Sequence, residues 1–262
     1  MSFAIIKTPR YRTTIKRILY AHMLLAVIIS SCKENKIDSS GYSKQFRPVF
    51  DSTNRLLELN QFNRALVYLD SSIKYIPLNT ADKFRVYGFH FWVNNRIRHN
   101  NNQALTYADS MLQVIQHSPD KAHYLSYYGE ANFAKGDALF DMNQYGAAYN
   151  SYYQGYLIGK NSVNTCTLSD YTYRMGMITY KQNNYKLAIT YFKSSFTQRQ
   201  QCKIEFASFY RQQEILDNIA LCYKNQNKPD SALLYFNKAT QYINDHGRQY
   251  TTRAEILNVA KA

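Results

Sequence analysis

The chain has 262 residues, of which 45% are hydrophobic, and contains only 9 glycines and 5 prolines. It is long enough to bury a continuous core, and this composition suits helices rather than a β-sandwich or a disordered tail. Its 32 basic and 18 acidic residues give a net charge of +14, which could attract nucleic acid or an anionic membrane surface. Because the bases are scattered and no nucleic-acid recognition motif accompanies them, we expect no nucleic-acid partner and a solvated basic surface near lipid.

Residues 1–32 have the pattern of a secretory signal. A basic stretch without acidic residues precedes a largely apolar run at 18–29, and Ser30 and Ser31 then lead to Cys32. The apolar run is too short to span a bilayer. A cysteine after two small residues resembles a bacterial lipobox, in which Cys32 would be diacylated and become the mature N-terminus. An ordinary signal peptide with a chance cysteine and a short signal-anchor are the alternatives.

From residue 45 onward a small residue recurs with a period of about 40 residues, which is typical of stacked helical hairpins. The recurring residues are Ala65, Ala104, Ala148, Ala188 and Ala232. Four positions later stand Leu69, Ala108, Tyr152, Phe192 and Phe236. After a linker at 33–44, the pattern predicts a solenoid over 45–250 with hairpins at about 45–77, 84–117, 123–158, 169–198 and 211–245.

Polar segments rich in asparagine separate the two helices of each predicted hairpin. They occur at 60–61, 100–102, 143–144, 183–184 and 225–229. Asparagine tolerates the left-handed conformation that ends a helix, so we expect the turns there. Residues 251–262 begin another amphipathic helix, which is either a cap or the first helix of a sixth unit in a longer protein. A second copy of the chain could also pair with this last helix to form a homodimer.

Small residues on the first helix of each hairpin are predicted to permit close helix packing. We expect Gly136, Gly176 and Ala220 to face Ala148, Ala188 and Ala232 respectively. The second hairpin is the weakest match, because Trp92 occupies the position where a small residue should stand. The aromatic residues then fill the space between neighbouring hairpins.

These positions resemble the tetratricopeptide repeat, whose signature places small residues and aromatics in the same order. The resemblance implies an all-α, right-handed superhelical solenoid of about five antiparallel helix pairs. It also implies a non-catalytic scaffold that binds a protein or peptide in a concave groove. Carried over position by position, the groove residues are Phe89, Val93, Arg96, Phe133, Asp137, Phe140, Tyr173, Met177, Tyr180, Asp217, Leu221 and Lys224.

The cysteines and histidines show no catalytic or metal-binding pattern. There is no CxxC pair, phosphate-binding loop or nucleophile motif, so we expect no enzyme activity, no cofactor and no metal. Cys222 falls where a small core residue belongs. Cys166 and Cys202 lie in successive joints, which we expect to be farther apart than the ~7 Å between Cα atoms that a disulfide allows; their oxidation state stays open.

The order of signal, cysteine and long-period repeats also looks like the extracytoplasmic sensor region of bacterial histidine kinases with tetratricopeptide repeats. Any kinase activity would then reside in sequence not present here. A free-standing lipoprotein scaffold of the envelope is one alternative, and a glycan-binding lipoprotein is a third reading. All three place the protein in the cell envelope of a Gram-negative bacterium, in the periplasm or on the outer membrane, and attached to a membrane by its lipid.

Overall fold

The computed structural model describes residues 41–161, 163–202 and 206–246. The predicted leader with its lipidation site Cys32, the linker as far as residue 40, and the terminal helix predicted at 251–262 lie outside the described residues.

The described residues form ten α-helices and no β-strand. In chain order the helices are α1 (Arg47–Glu58), α2 (Phe62–Ile73), α3 (Thr80–Trp92), α4 (Asn101–Gln116), α5 (Leu125–Asp141), α6 (Tyr145–Gly159), α7 (Thr165–Lys181), α8 (Tyr185–Arg199), α9 (Phe206–Asn225) and α10 (Pro229–His246). A π-helical turn, Val93–Ile97, extends α3, and a 3₁₀ turn, Lys121–Tyr124, precedes α5.

Consecutive helices pack as the pairs α1/α2, α3/α4, α5/α6, α7/α8 and α9/α10, and each pair contacts the next. A single pair cannot bury its apolar face alone, so the core extends from one hairpin to the following one. Buried side chains accordingly form several linked clusters rather than one central core. The prediction of an all-α solenoid of five antiparallel helix pairs is confirmed.

The hairpin turns adopt the left-handed backbone conformation expected of them. Asn60, Asn143, Asn183 and Asn227 have φ of 58°, 60°, 61° and 57°. The second hairpin differs, because His99, with φ of 51°, holds this position. There Asn100 instead caps α4 and accepts a hydrogen bond from the backbone N–H of Gln103.

Two glycines on the first helices make room for an aromatic residue of the second helix. A Cβ on Gly136 would lie 2.6 Å from the ring of Tyr152, and one on Gly176 would lie 2.7 Å from the ring of Phe192. The nearest neighbours of these two glycines are thus rings, which the prediction that they face Ala148 and Ala188 did not include. The ring, being larger than the alanine methyl, reaches across to the opposite helix.

The second hairpin has a different register from the one the sequence suggested. Trp92 does not occupy the small-residue position, because its side chain is 40% exposed. The π-helical turn that follows it adds a residue between the two helices and shifts the alignment. Phe91 is the buried residue here, and it belongs to the same core cluster as Ala104 and Ala108. A large residue on the first helix thus packs in a cluster with small ones on the second.

Of the three cysteines in the described residues, one is a buried free thiol and two form a disulfide. Cys222 is fully buried, as predicted for a core residue. Cys166 and Cys202 form a disulfide with a Cα–Cα distance of 5.7 Å, which corrects our expectation that they lie too far apart. We had placed them in successive joints. Cys166 is in fact the second residue of α7, and Cys202 follows α8, so the two ends of one antiparallel hairpin bring them together.

Candidate functional site

A cavity of about 570 Å³ opens on the surface formed by the first helices of hairpins one to three. Its apolar wall residues come from α1, α3, α4 and α5, and are Leu57, Gly88, Phe89, Phe91, Trp92, Met111, Phe133 and Ala134. Asn54 and five ionisable residues complete the lining, namely Glu58, Arg85, Arg96, Glu130 and Asp137. The cavity has the apolar floor and few polar groups that characterise binding sites in proteins.

A second cavity of about 410 Å³ adjoins the first along α5. The two share Phe133 and Glu130, and the second continues to α7, where Asp170 and Tyr171 line it. The rest of its wall consists of Val163 and the polar residues Ser126, Tyr127, Asn164 and Thr167. We call the two adjoining cavities together the α1–α7 groove. It begins at an apolar end against α1 and ends at a more polar end against α7.

Ion pairs connect successive hairpins within the groove. Arg85 on α3 donates from Nη1 to Oε1 of Glu130 on α5 at 3.0 Å, and from Nε to the hydroxyl of Tyr42 at 3.0 Å. Burial alone would lower the pKa of the Arg85 guanidinium, but the nearby Glu130 carboxylate raises it, and the net shift is upward. Arg85 therefore stays charged and holds the α3–α5 wall in place.

Asp137 is the most buried acid of the groove and is compensated by two arginines. Arg96, in the π-helical turn after α3, donates to its Oδ2 at 2.5 Å, and Nε of Arg174 on α7 lies 3.3 Å from its Oδ1. The hydroxyl of Tyr152 also donates to this carboxylate. Burial and the Asp137 charge raise the pKa of Tyr152 well above its usual value, so the phenol remains a donor. Asp137 thus joins three consecutive hairpins.

Sequence reasoning missed these pairs, although the sequence holds a signal for them. Arg85 and Glu130 are 45 residues apart, and Arg96 and Asp137 are 41 apart, about one repeat in each case. Hydrogen bonds connect further partners at the same spacing, namely Asn95 with Asp141, Asn218 with Tyr173, and Asn225 with Tyr180. A search for complementary side chains one repeat apart would have found them. Two of the basic residues that we interpreted as scattered surface charges, Arg85 and Arg96, therefore belong to this series of pairs between repeats.

Four of the twelve predicted groove residues line the first cavity: Phe89, Arg96, Phe133 and Asp137. Val93 and Tyr173 do not face a groove, because they are 0% and 1% exposed and belong to the core. The π-helical turn begins at Val93 and turns it inward. Tyr173 is covered by the guanidinium of Arg211, 4.1 Å from the ring centre.

The other six predicted residues line neither cavity of the groove, and are Phe140, Met177, Tyr180, Asp217, Leu221 and Lys224. Phe140 packs against the ring of Tyr145 at 5.5 Å, and Tyr180 packs against Tyr185 at 5.6 Å. Leu57 and Trp92 line the groove but were not predicted, because α1 was not assigned a groove face and the register of α3 was misjudged.

The described residues contain no cluster of His, Cys, Asp and Glu side chains arranged to hold a metal ion. No helix among them is long and apolar enough to cross a membrane.

The fold and the groove define the class of the protein as a helical-repeat solenoid of the kind that serves as a scaffold for protein interaction. Residues 213–246, which cover most of the fifth hairpin, match the family model of the tetratricopeptide repeat. The chain thus carries a tetratricopeptide repeat, and the predicted resemblance is confirmed for the repeat type. The more specific comparison with kinase sensor regions stays a prediction.

Solved structures agree on the fold at low sequence identity. The apo form of RapI has a TM-score of 0.65 and 15% identity, with 81% of this chain and 75% of that chain covered. BtubC from P. vanneervenii has a TM-score of 0.66 and 9% identity over 76% of this chain and 80% of that one. Aspartyl phosphate phosphatase F from Bacillus subtilis has a TM-score of 0.63 and 15% identity, and covers 95% of this chain, which spans 60% of the phosphatase. No curated protein matches the chain in sequence.

Proposed function

We propose that the protein is a non-catalytic interaction scaffold that binds a peptide segment of a partner protein in the α1–α7 groove. The observation that carries the proposal is the cavity of about 570 Å³, which is mainly apolar and is lined mostly by three consecutive first helices. Its size falls in the range of ligand sites. The Arg85–Glu130 and Arg96–Asp137 ion pairs support the proposal, because they hold the walls at a fixed spacing.

The scaffold is exported and attached to a membrane through diacylated Cys32 in this proposal. The disulfide between Cys166 and Cys202 supports export, since disulfides persist in oxidising compartments such as the bacterial periplasm. In this setting the solenoid acts as the extracytoplasmic part of a signal-transduction protein. Intact mass of the protein from a membrane fraction tests the anchor, because a mass beginning at diacylated Cys32 is expected.

The groove is tested by selecting peptides from a phage-displayed library of random short peptides. Gly88 lines the first cavity, and a Cβ placed on it would meet its nearest neighbour, Met111, at 3.9 Å. Gly88→Leu therefore fits the helix and fills the cavity from its wall. Peptides selected on the wild-type chain should bind at least about tenfold more weakly to this variant, which corresponds to about 1.4 kcal/mol.

Gly146→Leu is the matched control. Gly146 lies on α6 outside the groove, and a Cβ on it would meet no atom within 4 Å. Binding of the selected peptides should be unchanged in this variant. Equal affinity of the selected peptides for wild type and Gly88→Leu would show that the groove is not the binding site.

A further inference from the structure

The ionisable residues that line the α1–α7 groove are predominantly acidic, although the chain as a whole carries a charge of +14. In the first cavity three carboxylates stand beside two arginines, and each of these arginines is already paired with one of the three. The third, Glu58, is exposed and makes no ion pair with any residue that the structure describes. The lining of the second cavity holds Glu130 and Asp170 and no basic residue.

The carboxylates of the second cavity retain capacity to bind a cation. Arg85 contacts only Oε1 of Glu130, and both Arg199 and Arg211 contact only Oδ1 of Asp170. The side chains of Glu130 and Asp170 are 44% and 36% exposed, so solvent or a ligand can reach them. Each ionised carboxylate can accept several hydrogen bonds, and a charged donor forms the stronger ones.

The apolar and acidic parts of the groove adjoin each other. Phe133 and Glu130 form the shared wall, with Leu57, Phe89 and Trp92 on one side and Asp170 on the other. A segment lying along the first helices would therefore present an apolar side chain to the first cavity and the next accessible side chain to the second. The second side chain would meet the carboxylates of Glu130 and Asp170.

We propose that the groove is selective for a peptide segment in which an apolar anchor residue lies within a few positions of a lysine or arginine. This inference rests on the proposed function, because it names the chemistry of the partner bound at the same site. The apolar residue fills the cavity beside Trp92, and the cation binds Glu130 and Asp170. Charge complementarity of this kind gives specificity and speeds association.

The test compares peptide pools selected from the same phage-displayed library on four forms of the chain. These are wild type, Glu130→Gln, Asp170→Asn and Asp109→Asn. Asp109 is a matched control, because its side chain is 43% exposed and pairs with Lys135 but lines neither cavity. Thermal unfolding of each form establishes that it is folded. If either Glu130→Gln or Asp170→Asn does not fold, the peptides selected on the other variant decide the test.

Wild type and Asp109→Asn should select peptides in which lysine or arginine lies within a few positions of an apolar residue. Glu130→Gln and Asp170→Asn should retain the apolar preference and lose the basic one. A fluorescent peptide from the wild-type pool should bind each groove variant about tenfold more weakly, as expected for the loss of a charged hydrogen bond. Its affinity should also fall with added salt.

The possible failures are distinguishable. Suppose that the selected peptides bind wild type but not Gly88→Leu. This inference would then be overturned, with the proposed function intact, if the wild-type pool lacks basic residues. It would also be overturned if the pools selected on Glu130→Gln and Asp170→Asn keep the same basic preference as the wild-type pool. Enrichment of acidic residues would overturn it as well. Selected peptides that bind wild type and Gly88→Leu equally would overturn both.

Discussion

At the scale of single residues, two glycines determine how closely the helices of the third and fourth hairpins approach. Gly136 and Gly176 make room for the rings of Tyr152 and Phe192, both of which are fully buried. The alternation of a small residue on one helix with a ring on the other is what the sequence pattern reflects. The pattern alone did not show which residue on the second helix occupies the space.

Gly136→Ala should destabilise the protein by about 1–3 kcal/mol, because the added methyl group would overpack the core. Its Cβ would lie 2.6 Å from the ring of Tyr152, which cannot move easily while its hydroxyl is bonded to buried Asp137. Gly146→Ala is the control, since its Cβ enters open space on α6 and should stabilise by up to about 1 kcal/mol. Urea unfolding measures both, and an equal effect of the two changes would contradict this packing.

Asp137→Asn should cost about 3–5 kcal/mol of folding stability, because it removes the buried carboxylate that neutralises the partly buried Arg174. Asp137 is 5% exposed and also bonds Arg96 and Tyr152. Asp109→Asn removes an exposed partner of Lys135 and should cost less than about 1 kcal/mol. Chemical denaturation of the two variants gives the comparison, and similar losses would mean that Asp137 does not join the three hairpins.

Burial raises the pKa of the Cys222 thiol from 9.0 to about 12. The folded state therefore favours the protonated thiol, while the unfolded chain releases this proton at lower pH. The contribution to stability is complete below about pH 9 and is lost as the pH rises towards 12. Cys222→Ala should make the fall in stability over this interval less steep in urea titrations. An unchanged slope would show that the thiol is not protected by burial.

At the scale of elements, the sequence predicted features that depend on a few neighbouring residues. It did not predict contacts that depend on how the residues of neighbouring helices are aligned. The turns at Asn60, Asn143, Asn183 and Asn227 were predictable, because the left-handed conformation favours asparagine at a single position. The π-helical turn after Trp92 was not, since one added residue leaves no composition signal but shifts the following alignment. The ion pairs between first helices depend on that alignment between neighbouring repeats. Their spacing of about one repeat indicates candidate pairs, and the structure shows which of them form.

The disulfide closes the open end of the α7/α8 hairpin, opposite its Asn183 turn. Replacing both Cys166 and Cys202 with serine should lower stability by about 2–4 kcal/mol, because the unfolded chain regains the freedom that the crosslink removes. Reductant should produce a similar loss in wild type and none in the double variant, as measured by thermal unfolding. A reductant effect of equal size in both proteins would rule out this crosslink as its cause.

At the scale of the whole molecule, stacking of hairpins creates a surface that no single hairpin possesses. The α1–α7 groove takes its walls from the first helices of four hairpins, and ion pairs between these helices fix their spacing. Four predicted groove residues, including Phe89 and Phe133, line its first cavity. Its acidic character was not predicted, since the overall charge of the chain has the opposite sign.

Trp92 offers the most direct test of the groove, because it is the single tryptophan of the chain and lines the first cavity at 40% exposure. A peptide selected on the wild-type chain should be titrated while the tryptophan emission is recorded, in parallel with the anisotropy of a label on the peptide. A bound apolar side chain removes water from Trp92, so we expect a saturable shift of the emission to shorter wavelength with the same midpoint as the anisotropy. The shift should persist in Gly146→Leu and be lost in Gly88→Leu. Binding by anisotropy without any change in the emission of Trp92 would contradict the assignment of the groove as the peptide site.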